Sequence, residues 1–331
     1  MAGPKAIHSA RLPFGSTPGR NPSRAQIHSQ RMLAKSLTAA ASMGCLISAS
    51  AQPLIPGLGG TFAGFNHAAN MDFDSIPGSL EISQFEIRTL LSHPVPPFDG
   101  LLIFPVIDCT ATVLRFNQVP TSIFFDKEYL RSFNVYPVAV DFSTLALSTR
   151  DDSPWIFGAL AGVRLATDFR HVDRDQVSFR LAGGAGYRFD EGLTLGIGGA
   201  VENPDGDLRF HPGIGLDWMI NHQFRIGVCG PAWIASFIPN KNWQLSVRGD
   251  SSGEFWHISD NAGEPLAIDL SSYRIGIYAN RHLMGPLWLR AGAGVIIENE
   301  FRLTGSSGKT IIRQKMDGGL FGQVILTIGC W

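Results

Sequence analysis

The chain has 331 residues, of which 44% are hydrophobic and only 17% are charged, whereas about 25% of residues are charged in an average soluble protein. The net charge of −1 hides an asymmetry, because the first 51 residues contain six Lys or Arg and no acid, which leaves 21 basic and 28 acidic residues and a net charge of −7 in the rest. This composition excludes a disordered chain, and an acidic body excludes the basic surface that binds nucleic acid.

The composition of the N-terminal region is typical of a targeting segment. Residues 1–31 are basic and Pro-rich, and we predict that they are a non-native leader produced by a misassigned start; an organellar presequence is the alternative. Residues 32–51 combine a single cation, a short apolar stretch and small residues, which predicts a secretory signal peptide cleaved between Ala51 and Gln52. We expect residues 52–331 to form a single domain.

Period-2 alternation of apolar and polar residues dominates the chain after residue 52 and predicts antiparallel hairpins. It is clearest from residue 177 onward, where turn signals separate successive strands. With strands at about 60–74, 79–93, 100–117 and 130–149, and with 222–238 broken in two at Gly230-Pro231, the count is 14. It is 12 if the first segment lies outside the wall and 222–238 is one strand.

The N-terminal third is harder to interpret. Leu101–Ile107 is apolar on both phases, and Pro137 shifts the phase within 130–149. Each position is compatible with a bulge, a plug contact or a strand edge.

The polar phase of the strands is rich in Arg and Gly, which makes a poor solvent surface but a plausible barrel lumen. The sequence therefore favours an all-β, up-and-down transmembrane β-barrel over a soluble secreted lipocalin-like binder. The charges that we predict to line the lumen are Arg164, Arg180, Arg188, Arg209, Arg225, Arg248, Arg274, Arg290, Arg302, Glu202, Asp217, Asp250, Glu298 and Glu300.

Aromatic residues mark one end of the predicted barrel. If the last strand descends to the periplasm, the turns near 152, 191, 221, 240 and 285 lie on the periplasmic side, and aromatic residues within three residues of these turns should lie at the membrane interface. The predicted interface aromatics are Trp155, Phe189, Trp218, Trp243 and Trp331.

No catalytic or cofactor motif stands out. The glycine-rich pieces do not open a helix, and no Cys or His spacing suggests a metal, so we predict no cofactor, no metal and no enzyme. A barrel-embedded hydrolase is the alternative, with His171 beside Asp168 and Asp173, or His257 beside Asp260, as candidate loop sites.

Two segments resemble Gram-negative outer-membrane β-barrels of families of unknown function. They are Ser272-Tyr273-Arg274-Ile275-Gly276 and the run from Pro286 to Gly294, followed by an outer loop and a closing strand. The resemblance implies an outer-membrane location and contact with outer-membrane lipid. It also implies transport through the periplasm by chaperones and insertion by the barrel-assembly machinery. We expect a monomer that acts either as a structural protein or as a narrow passive pore for small solutes.

Overall fold

The structure is a computed structural model that describes residues 61–90, 95–98, 101–119, 132–148, 153–170, 172, 176–204, 206–259, 264–305 and 308–328. The predicted leader, signal peptide and cleavage site lie outside these residues, as does Trp331.

The regular structure in these residues is entirely β-strand. The strands are β1 (Thr61–Asp72), β2 (Ser79–Leu90), β3 (Val95–Phe98), β4 (Leu101–Asn117), β5 (Ser132–Val135), β6 (Val138–Ser148), β7 (Trp155–Thr167), β8 (Val177–Arg188), β9 (Leu193–Glu202), β10 (Arg209–Met219), β11 (Phe224–Cys229), β12 (Ala232–Asn240), β13 (Trp243–Ser259), β14 (Pro265–Met284), β15 (Leu287–Gly305), β16 (Thr310–Met316) and β17 (Gly319–Ile328).

The strands close into an antiparallel barrel with 14 wall strands, which confirms the larger of the two predicted counts. Each wall strand pairs with the next along the chain, and β1 pairs with β17 from Thr61 opposite Ile328 to Ala68 opposite Phe321. The predicted break at Gly230-Pro231 separates β11 from β12. Pairing of β1 with β17 closes the sheet, so neither terminal strand is left as a free edge.

The remaining short strands, β3, β5 and β16, extend the wall beside β4 and β15. Pro137 separates β5 from β6, yet both pair with β4, so the proline interrupts the wall strand without ending it. The Leu101–Ile107 segment is a regular part of β4, paired with β6 along its length, and is neither a plug nor an edge.

Two ends of the barrel can be distinguished by their connections. The end with the tight turns near 191, 221, 241 and 285 is called the turn end, and the opposite end is called the loop end. Asp190 Oδ1 accepts hydrogen bonds from the backbone of Gly192 and Leu193 at 2.7 Å, which explains the first of these turns.

A belt of exposed apolar side chains covers the outside of the barrel. Such a continuous surface is far larger than the apolar patches of soluble proteins and requires a lipid environment. It identifies the barrel as membrane-spanning. The belt includes Phe65, Phe85, Phe142, Phe157, Leu181, Ile197, Ile214, Val247, Ile277, Val295 and Val324.

An apolar core fills the loop end of the barrel between β1, β2, β4, β5 and β13–β16. Phe116 stacks on Phe133 at 4.8 Å between ring centroids and meets the edge of Phe301 at 5.7 Å. Trp256 and Phe301 are fully buried in this cluster. Burial of each such ring contributes about 1.5–3 kcal/mol. The lumen is therefore polar only in part, and strand alternation alone does not predict this apolar core.

Candidate functional site

The polar part of the lumen holds most of the predicted charges. Those on the inward phase of their strands are Arg164, Arg180, Arg188, Arg209, Arg225, Arg248, Arg274, Arg290, Glu202, Asp217 and Asp250. Inward glycines on the same strands leave room for these long side chains.

Ion pairs across the lumen wall neutralise several of these charges. Arg225 binds Asp217 in a bidentate manner, with Nε and Nη2 at 2.7 and 2.6 Å from the carboxylate oxygens. Arg164 Nη2 lies 2.8 Å from Glu254 Oε2, although 90 residues separate the two in sequence. These pairs are partly buried, so their geometry and hydrogen bonding decide whether they offset the cost of desolvation.

Five further lumen charges were missed in the sequence. They are Glu86, Arg88, Asp108, Asp141 and Glu254. Alternation continued from Gln84 through β2 would have found the first two, and alternation continued from Arg248 and Asp250 along β13 would have found Glu254.

A bulge in β15 changes the face of the strand on which three of the predicted lumen charges lie. Two residues of β15, Glu298 and Asn299, face a single position of β14, and Glu298 has a left-handed φ of 54°. One extra residue exchanges the two faces of a strand. Phe301 and Leu303 therefore point into the apolar core, while Glu298, Glu300 and Arg302 lie on the opposite face of β15 and line a chamber at the loop end.

A chamber of about 900 Å³ lies at the loop end, between the inner faces of β8–β10 and the outer face of β13–β15. It exists because the β11–β12 hairpin is short, so that β13 pairs with β12 only up to Gly249 and continues to the loop end paired with β14 on its other side. Tyr273 Oη donates a hydrogen bond to the Pro231 carbonyl at 3.0 Å and fixes the hairpin at the base of this notch.

The upper part of β13 crosses to β7 above the chamber. His257 pairs with Thr167 in parallel register, and the backbone NH of Asp168 donates to the His257 carbonyl at 3.1 Å. The Asp168 carboxylate accepts hydrogen bonds from the NH groups of Ser259 at 3.0 Å and Arg170 at 3.1 Å. Asp168 thus connects β7 to β13, two strands that are not neighbours in the wall.

Ion pairs also cross the chamber. Arg209 of β10 lies 3.8 Å from Asp269 of β14, and Arg302 lies 4.0 Å from the same carboxylate. Glu300 pairs with Arg302 at 3.1 Å and with Arg313 at 2.8 Å. The chamber wall therefore presents charges of both signs.

Two smaller cavities continue from the chamber into the barrel, with volumes of about 50 and 40 Å³. Glu254 lines the chamber and both smaller cavities, and Arg164 lines the chamber and the 50 Å³ cavity. The Arg164–Glu254 ion pair is therefore part of the partition between these spaces.

Four of the predicted interface aromatics lie at the turn end and are exposed on the outside. Trp155, Phe189, Trp218 and Trp243 are 38–58% exposed, and the guanidinium of Arg281 lies 5.4 Å from the centre of the Trp243 ring. Trp331 lies outside the described residues.

The candidate catalytic sets are only partly described, because His171, Asp173 and Asp260 lie outside the described residues. His257 packs edge-on against Phe255 at 5.0 Å, and Asp168 is engaged by two backbone NH groups. Within the described ranges, no group of three or more His, Cys, Asp or Glu side chains could hold a metal ion. The described part of the chain also contains no helix of the length and hydropathy needed to cross a membrane.

Comparison with solved structures finds membrane barrels at about 10% sequence identity. An outer-membrane channel from Pseudomonas putida F1 matches with a TM-score of 0.42 and 10% identity over 85% of this chain and 98% of that one. A mutant of the monoaromatic hydrocarbon channel TodX matches with a TM-score of 0.42 and 9% identity over 82% and 91% of the two chains. The translocator domain of NalP from Neisseria meningitidis matches with a TM-score of 0.34 and 10% identity over 92% and 96%.

Likenesses at these scores say nothing about the activity of the present chain. No curated protein matches it. A family model does match, over residues 152–329, which is more than half of the 331-residue chain. The chain belongs to the family described as a domain of unknown function, DUF6268.

Proposed function

We propose that the protein spans the outer membrane of a Gram-negative cell and provides a narrow path for small polar solutes between the loop-end chamber and the polar lumen. The apolar belt and the exposed aromatic residues at the turn end support the membrane location, with the turn end on the periplasmic side. Export by the signal peptide of residues 32–51, chaperone escort and insertion by the barrel-assembly machinery belong to the same proposal.

The observation that carries the proposal is the position of Glu254. Its side chain lines the chamber and both smaller cavities, and it is held by Arg164 at 2.8 Å. A cavity of about 50 Å³ holds a few water molecules, since one water needs about 10–15 Å³ measured in this way. The path is therefore closed to solutes larger than water until the Arg164 and Glu254 side chains move apart.

The test is single-channel conductance of the refolded protein in planar lipid bilayers. We expect small and infrequent openings for the wild type, and a conductance several-fold larger for the double variant Arg164→Ala/Glu254→Ala, because both charges and their bulk are removed. The matched control is Arg225→Ala/Asp217→Ala, which deletes a similarly buried pair that lines none of these three cavities. This control should conduct like the wild type.

Three results would contradict parts of the proposal. Wild type and double variant without channels above background would leave a structural role as the function. Recovery of the protein in the periplasmic supernatant without detergent would support a soluble binder. Lipase or protease activity that His257→Ala or His171→Ala abolishes would identify a barrel-embedded hydrolase, whereas we propose no catalytic role.

A further inference from the structure

A cluster of buried hydrogen-bond donors lies on the inner face of β13–β15 toward the turn end. Its members are Ser246 and Arg248 of β13, Asn280 of β14 and Arg290 of β15, which are 3%, 2%, 2% and 6% exposed. We refer to them as the donor cluster. Asn280 faces Arg290 across the β14–β15 pair. Ser246 faces Tyr278 across the β13–β14 pair and is therefore diagonal to Asn280, so the four residues share one part of the inner face.

Two glycines next to the cluster make room for the Tyr278 ring, against which Arg248 packs; we call them the glycine seat of Tyr278. A Cβ at Gly292 would lie 2.6 Å from Cε1 of Tyr278, and a Cβ at Gly276 would lie 3.0 Å from Cε2 of the same ring. The Tyr278 ring therefore lies over these two positions, where any side chain would displace it. The Arg248 guanidinium is 5.1 Å from the centre of this ring, a cation–π contact that fixes its direction.

One positive charge of the cluster, that of Arg290, lacks a matching carboxylate. Among the described residues, Arg290 makes no ion pair, and its one hydrogen bond runs from Nε to Asn280 Oδ1 at 2.8 Å. Asp250, the next acid along this face of β13, stands opposite Arg274, and Glu86 lies 3.8 Å from Arg88. Burial of a guanidinium without a counter-ion is strongly unfavourable.

Unused donors accompany the unpaired charge. Because Asn280 Oδ1 accepts from Arg290, the amide orientation leaves Asn280 Nδ2 without an acceptor, and Ser246 Oγ also has no partner. Buried polar atoms of this kind are rare in native proteins and are satisfied by water or by a ligand. A group that accepts several hydrogen bonds and carries negative charge would satisfy these donors and Arg290 together.

We propose that the donor cluster binds a small anion through a carboxylate or phosphate group. A planar guanidinium matches both groups in a bidentate manner, which favours them over a ligand that makes a single contact. The inference deepens the proposed function, and it rests on that function because the anion reaches the cluster through the lumen. The solutes that use the path would then be small anions.

The experiment measures binding of inorganic phosphate, and separately of acetate, to the detergent-refolded protein by titration calorimetry at constant ionic strength. We expect saturable binding to the wild type and at least tenfold weaker binding to Arg290→Gln. The matched control is Arg281→Gln, which alters an exposed arginine at the turn end, on the outside of the barrel, where its guanidinium lies 5.4 Å from the centre of the Trp243 ring. This control should bind like the wild type.

Asn280→Asp is the second variant, and it keeps the proposal testable if Arg290→Gln does not fold. It places a carboxylate of the protein beside Arg290, so it should abolish binding of added phosphate and raise the urea midpoint without ligand. Phosphate binding that survives in Asn280→Asp, or a wild type that binds neither anion, would overturn the inference.

The two proposals fail separately. Anion binding without channels in bilayers would keep the site and remove the path. Channels without anion binding would keep the path and remove the site.

Discussion

The glycine seat of Tyr278 predicts how much stability the barrel loses when Gly292 or Tyr278 is replaced. In Gly292→Ala, the new methyl group would overlap the Tyr278 ring, which is only 5% exposed and cannot withdraw without losing its packing against Arg248. Overpacking of this kind costs about 1–3 kcal/mol. Tyr278→Ala removes a buried ring and should cost about 3–5 kcal/mol.

The two substitutions should not be additive. Once the ring is absent, the methyl group at position 292 enters vacant space, so Gly292→Ala should cost nothing or stabilise by about 0.5 kcal/mol through lower chain entropy in the unfolded state. The double-mutant cycle should therefore show a coupling of about 1–3 kcal/mol between the two positions.

The assay is reversible urea unfolding of the refolded barrel in detergent, followed by tryptophan fluorescence and extrapolated linearly to water. Gly322→Ala is the matched control, because a Cβ at that β17 glycine has no atom within 4 Å, and it should change stability by less than about 0.5 kcal/mol. Simple addition of the two single costs, or a Gly292→Ala cost no larger than that of the control, would contradict an overlap between the methyl group and the Tyr278 ring.

Two further predictions concern the loop end. Hydrogen bonds from Arg313 and then Arg302 lower the pKa of Glu300 below its ordinary 4.5, at a point on β15 beyond the apolar belt. The stability difference between wild type and Glu300→Gln should therefore be full above about pH 4.5 and disappear as the pH falls through the lower folded-state pKa; a difference that grows in acid would contradict this. Asp168→Ala should destabilise the protein by about 1–3 kcal/mol, because the Ser259 NH loses its acceptor. The stability of Asp168→Asn, which keeps one carbonyl oxygen, should lie between those of the wild type and Asp168→Ala. Equal urea midpoints for all three proteins would contradict a role of Asp168 in connecting β7 to β13.

The barrel wall could be predicted because its signals are local. Alternation, turn residues and the Gly230-Pro231 break each act within a few residues, and together they gave the strand count that the structure shows. The outward phase of the last strand, with Leu320, Val324 and Ile328 exposed, follows the same local rule.

The phase reversal in β15 could not be predicted from local signals. The residue in the left-handed conformation is Glu298, whereas Gly or Asn is the usual marker of such a bulge. Strict alternation continued past this point and placed Glu300 and Arg302 on the same face of β15 as Arg290. The error is one residue in register, and it reverses every side chain that follows.

The chamber and the crossing of β13 to β7 depend on contacts far apart in sequence. Arg164 and Glu254 are separated by 90 residues in the sequence, and Asp168 and Ser259 are separated by 91. No periodicity within either strand indicates such a contact. What the sequence does contain is a change of composition along one face of β13, from charged to apolar.

That change explains why the candidate path leaves the barrel axis. Along the inner face of β13, Arg248, Asp250 and Glu254 precede Trp256 and Ile258, which are 0% and 3% exposed in the apolar core. Water and ions cannot cross a core packed in this way without a large cost. Polar solutes must therefore turn aside below Trp256, and the notch above the short β11–β12 hairpin is where the chamber opens. Glu254 occupies that corner, so the Arg164–Glu254 pair is the position at which opening of the path has the greatest effect.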